Sequence, residues 1–167
     1  MENPDRPTLL RWVLQPDGAQ VFRQDERILH LTGHPGGSER FTLNGCSYTL
    51  QRHGGARLRT TIHRDGTAVA HVRASGPFRP HRIELVDEAA YTAAWSNAPL
   101  AKLAVRDAGG RDVLTLRLAT EGGVHTETVL AAGMPLDERT LLLLALAYTL
   151  FGGAMREKGH ATLPSVT

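Results

Sequence analysis

The sequence predicts a mainly β fold: a closed antiparallel barrel of about 12 strands enclosing one hydrophobic C-terminal α-helix. Three observations carry that expectation. Glycine-bearing turn signals recur every 8 to 15 residues, from "PDG" at 16–18 to "EGG" at 121–123, and the short runs between them have strand composition. Several of those runs pair into hairpins that gather their apolar residues on one face. A wholly apolar run, "LLLLALAYTLF" at 141–151, then follows the last turn.

Taken in order, strands are expected at 9–15, 19–24, 27–31, 39–43, 46–52, 57–63, 67–74, 81–86, 91–95, 100–106, 111–118 and 124–130. Asn44-Gly45 is the favoured pair for a two-residue type I′ turn, because both positions tolerate positive φ. That turn sets Leu43 against Cys46, Phe41 against Tyr48 and Glu39 against Leu50, with Arg40, Thr42, Ser47 and Thr49 on the other face. A Gly109-Gly110 turn likewise sets Val105 against Leu114, Leu103 against Leu116 and Ala101 against Leu118. For "RDG" at 64–66 a two-residue loop mixes the faces. A three-residue loop with Gly66 left-handed instead pairs Leu58 with Val72, Thr60 with Ala70 and Ile62 with Ala68. The outer face of that hairpin then carries Arg57, Arg59, His63, His71 and Arg73, with Val69 as its one apolar member.

The helix is expected over 137–158. Apolar side chains cover every direction of its wheel between 141 and 151, so it must be buried on all sides. Asp137 and Glu138 at its start and Arg156 and Lys158 at its end complement the helix dipole. A membrane span is the rival reading. The apolar stretch 141–155 has 15 residues, which at about 1.5 Å per residue reaches roughly 22 Å of a hydrocarbon core ~30 Å thick. A barrel of about twelve strands has room for a helix ~10 Å across, so the plug of a barrel is the expected role and no transmembrane span is expected.

A chain of 167 residues is the length of a single domain, here 1–167 with disordered tails at 1–7 and 160–167. Cys46 is the only cysteine, so no disulfide forms within the chain. The start "MENPDRP" has neither the basic nor the apolar part of an export signal, which makes a cytoplasmic location the expectation. The net charge of +2 conceals an uneven distribution. Between residues 52 and 82 lie seven arginines and one acid, Asp65.

The order of elements, about twelve short strands and then "PLDERTLLLLALAYTLF", resembles the tubby C-terminal-like superfamily, which includes the tubby domain, the phospholipid scramblases and the LURP-one-related proteins. The acidic helix entry followed by an alanine- and leucine-rich run is similar to the closing helix of scramblase and LURP-one-related sequences. The resemblance spans roughly residues 8–158 and implies a β-barrel around a central helix. It also implies anionic lipid as a ligand class, since some tubby-type domains hold phosphoinositide head groups on a basic outer face. The chain departs from scramblases in lacking a cysteine cluster, a proline-rich N-terminal extension and an acidic calcium loop near the helix.

Arg57, Arg59, His63, His71 and Arg73 form the candidate site for an anionic head group or phosphate, since cations gathered on one face attract phosphate-bearing partners. Phe78, Arg79 and Arg82, in "GPFRPHR" at 76–82, form a secondary candidate in which an aromatic ring between arginines can stack on a base or enter a head-group layer. The bland alternative for both is a solvated strand face and a proline-stiffened loop. Nucleic acid would be drawn by the same charges, and a structural or protein-interaction module is the remaining alternative. "TGHPGGSER" at 32–40 lacks the order of a P-loop, and no zinc spacing, nucleophile elbow or metalloprotease motif occurs. The expectation is therefore a non-enzymatic binding protein with no metal and no cofactor, cytoplasmic and peripheral to membranes.

Overall fold

The computed structural model describes residues 3–33, 38–53, 59–73, 80–87, 89–96, 101–121 and 125–157, with 152–157 as backbone alone. Twelve strands form: β1 (Thr8–Gln15), β2 (Gly18–Arg23), β3 (Glu26–Gly33), β4 (Ser38–Leu43), β5 (Cys46–His53), β6 (Arg59–Arg64), β7 (Thr67–Arg73), β8 (His81–Leu85), β9 (Ala90–Ser96), β10 (Lys102–Arg106), β11 (Asp112–Ala119) and β12 (His125–Leu130). Each pairs antiparallel with its sequence neighbour, and β1 pairs with β12, so the sheet closes on itself. Closure removes the free edges that an open sheet would expose.

The helix α1 (Glu138–Glu157) fills the barrel. Asp137 caps it, its Oδ1 accepting from the Thr140 N–H at 3.0 Å. From Thr140 to Phe151 every side chain is buried, and these residues join the inward residues of the strands in one core. Aromatic stacking fastens helix to wall, with Trp12 on Tyr148 at 4.6 Å and Trp95 on Phe151 at 5.5 Å between ring centroids. Trp12 Nε1 also donates to Thr128 Oγ1 at 2.8 Å, which satisfies both polar groups in a buried place. Among the described residues no helix is long and apolar enough to cross a membrane.

The Asn44-Gly45 hairpin has the expected register, and both turn residues have positive φ (50° and 78°). The "RDG" hairpin corrects its expectation. Its loop is the two-residue Asp65-Gly66 turn, with φ of 51° and 80°, so Thr60 pairs with Val72 and Ile62 with Ala70. A β-bulge absorbs the frame change that a two-residue loop would otherwise cause. Val69 is the extra residue, and it turns inward to be 7% exposed instead of standing on the outer face. Leu58 lies outside the described residues. The β10–β11 hairpin keeps the expected pairs Val105 with Leu114 and Leu103 with Leu116 by a different route. Asp107 Oδ1 accepts from the Gly109 and Arg111 N–H groups at 3.0 Å each, which makes a longer turn, and Val113 is the bulged residue.

A third bulge falls at Ile28 in the β2–β3 hairpin. Bulges therefore recur in the second strand of every fourth hairpin, at Ile28, Val69 and Val113. The last two are followed by complete pairing of the next strand, marked by main-chain bonds from Val86 N to Val69 O (2.9 Å) and from Ala131 N to Val113 O (3.0 Å). After Ile28 the pattern fails. The β3–β4 ladder holds only Thr32 with Arg40 and Gly33 with Glu39, and the pairs that should follow, Leu31 with Phe41, His30 with Thr42 and Leu29 with Leu43, do not form. A bulge bends and twists its strand, and at this one position the neighbour does not follow.

Candidate functional site

Strand parity places Arg59, His63, His71 and Arg73 on the outer wall, as the sequence predicts; Arg57, Phe78 and Arg79 lie outside the described residues. Register then arranges these residues beyond what one hairpin shows. His53 of β5 is the Cα partner of Arg59, Arg59 of Arg73, and Arg73 of Arg82. All four are exposed. Three guanidinium groups and an imidazole therefore stand side by side across four strands, over about 15 Å at the usual strand spacing. Arg59 and Arg73 have no ion pair among the described residues.

One residue along, the balance changes. Glu84 of β8 accepts from Arg82 Nε at 2.5 Å and lies 3.1 Å from His71 Nε2. The hydrogen bond from Arg82 holds the Glu84 carboxyl below the usual carboxylate range, with further help from the charges of His71 and Arg73. Glu84 thus tethers two members of the basic group, while Arg59 and Arg73 have no ion pair of their own among the described residues. His63 sits between Thr49 and Ala68, its Nδ1 buried without a hydrogen-bond partner among the described residues.

The basic segment of the sequence is not all available. Arg52 points into the barrel and meets Glu39, whose carboxylate is fully buried, at 3.4 Å. Arg64 lies 3.4 Å from Glu138, which also accepts from the Tyr48 hydroxyl. Burial, and then that bond to Glu138, raise the Tyr48 phenol above its ordinary value, against the opposing pull of Arg64. Arg139 pairs with Asp87 beside it. These groups hold the first turn of α1 to the barrel rim.

A second feature was not expected from the sequence. Where the β3–β4 ladder stops, the wall opens into a cleft of about 620 Å³ whose sides carry Arg27, His30, Arg40, Thr42, Ser47 and Thr49. Leu29, Phe41 and Tyr48, all buried in the core, border it from within, and the last two rings stack at 5.1 Å. The sequence signals were present, since Arg40, Thr42, Ser47 and Thr49 share the outer face of the Asn-Gly hairpin, but the missing ladder has no side-chain signature.

Cys46 is partly buried and packs against the core. No group of three metal-ligating side chains occurs among the described residues. Comparison with protein-family models, with curated proteins and with solved structures finds no match.

Proposed function

We propose that this chain is a non-enzymatic binding protein whose basic outer wall engages the phosphates of anionic phospholipid head groups, peripherally at a membrane surface. The observation that carries the reading is the lateral row His53, Arg59, Arg73 and Arg82. Like charges set directly opposite on neighbouring strands destabilise a sheet, so an array of this kind has a cost that a layer of phosphates relieves. Arginine suits that partner because its planar fork bonds two phosphate oxygens at once. The resemblance to the tubby C-terminal-like superfamily points to the same ligand class. A lumen packed with α1 also leaves the outer surface as the place for a ligand.

Arg59→Gln with Arg73→Gln tests the reading, because both residues are exposed and without ion pairs among the described residues, and the fold should survive. Each arginine near an anionic surface contributes about 1 kcal/mol, so the pair should weaken co-sedimentation with phosphatidylserine-containing vesicles about thirtyfold. Wild-type binding should also decline as salt rises. Equal binding by both proteins would remove the proposal. Competition by a single-stranded oligonucleotide that outlasts competition by vesicles would transfer the row to nucleic acid.

A further inference from the structure

We infer that the β3–β4 cleft is a binding site for a soluble organic anion, a small molecule bearing a phosphate or carboxylate group together with hydroxyls. The short ladder sets this seam apart from the other two bulged hairpins. At the two equivalent places after Val69 and Val113 the following strand pairs up to the bulged residue, whereas after Ile28 it does not. The main-chain groups that face each other from residues 29–31 and 41–43 are therefore not joined in a ladder.

Charge selects the class of ligand. Arg27, His30 and Arg40 border the cleft, and none of the three has an ion pair among the described residues. Two guanidinium groups can each grip an anionic oxygen pair. The hydroxyls of Thr42, Ser47 and Thr49 supply donors and acceptors along one side. A volume of about 620 Å³ falls within the usual range of small-ligand sites. The cleft is distinct from the arginine row, which lies on β6 to β8 at the opposite ends of the strands from the Asn44-Gly45 and Asp65-Gly66 turns.

The test is a titration of the full-length, isotope-labelled chain with inorganic pyrophosphate and, separately, with citrate, followed by backbone amide chemical shifts at constant ionic strength. The expected result is a saturable shift with at least one anion, concentrated at residues 27–32 and 40–42. Arg27→Gln with Arg40→Gln should weaken that binding at least about tenfold, and Arg59→Gln with Arg73→Gln should leave it unchanged. Should the first pair disturb the fold, Ser47→Ala with Thr49→Val replaces it, with a loss of at least about threefold expected. No saturable shift with either anion overturns the inference. So does binding that survives the cleft substitutions in a folded protein, or binding lost with Arg59 and Arg73, which would assign the anion to the outer wall.

Discussion

Leu144→Ala is the sharpest test of a helix enclosed by strands. Leu144 is fully buried near the middle of α1. Truncating a buried leucine to alanine removes transfer energy and leaves a cavity, for a total of about 2–5 kcal/mol that depends on how far the surroundings collapse. Here the surroundings are a closed sheet of twelve strands joined all round by main-chain ladders, the shortest of them at the β3–β4 seam. Such a wall contracts poorly, so the loss should lie in the upper half, at about 4 kcal/mol. For a chain of this length each kcal/mol moves the thermal midpoint by about 2–4 °C, which predicts a fall of about 8–16 °C. Urea unfolding of wild type and variant measures the free energy directly, with an unchanged m-value showing that the unfolded states match. Leu9→Ala is the control: Leu9 is 54% exposed on the outer wall, and its truncation should change stability by less than about 0.5 kcal/mol. A Leu144→Ala loss below about 1 kcal/mol, or equal to that of Leu9→Ala, would show that α1 is not enclosed.

Deletion of 137–167 should give an insoluble, unfolded remainder, because a barrel without α1 exposes its inward leucines and valines; a soluble, folded product in circular dichroism would contradict this. Gly18→Ala should destabilise the protein by roughly 1–3 kcal/mol, since a Cβ there would stand 1.9 Å from the Leu31 carbonyl oxygen at a φ of 152°; an unchanged urea midpoint would refute the contact. Burial lowers the proton affinity of His81 from an ordinary value of 6.5. The unfolded chain therefore takes up the proton first, so this contribution to stability is complete above about pH 6.5 and is lost as pH falls through the lower, folded value. His81→Gln should flatten the decline of the urea midpoint on acidification, and an identical decline in both proteins would exclude His81 as its source.

Much of the fold was legible because alternation and turn chemistry act locally. The strands lie within two residues of their expected bounds, and Asn44-Gly45 fixed one hairpin through a backbone requirement that few dipeptides meet. The bulges were hidden for an equally physical reason. Ile28, Val69 and Val113 sit in apolar runs where either of two neighbours can face the core, so counting by twos from the turn gives a loop of the wrong length. Parity still put Arg59, His63, His71 and Arg73 on the outer wall, but not Val69. Arg82 joined their row only through the β7–β8 register. Arg52 counted as part of a basic segment, whereas its partner Glu39, on the core side of the Asn-Gly hairpin, draws it inward. The cleft was least legible of all, since it arises from main-chain pairs that fail to form.

The cleft and the arginine row lie at different levels of the same wall, and their separation predicts how strongly they interact. Arg40 pairs with Thr49 and Thr49 with His63, two strands away, and Arg59 stands four residues from His63 along β6. At the usual strand spacing and rise the two arginines are about 16 Å apart, beyond one Debye length at 0.1 M salt. Two unit charges that far apart in water interact by about 0.3 kcal/mol, a factor of about 1.5. An anion seated in the cleft should therefore weaken vesicle binding by about 1.5-fold per charge at low salt, and the effect should vanish at high salt, where the Debye length contracts to a few ångström. Co-sedimentation with phosphatidylserine-containing vesicles, with and without saturating pyrophosphate or citrate, measures the coupling; sodium chloride at matched ionic strength serves as the control. Inhibition of more than about tenfold that persists at high salt would mean direct competition. Wall and cleft would then be one site, with lipid phosphate entering where the β3–β4 ladder stops.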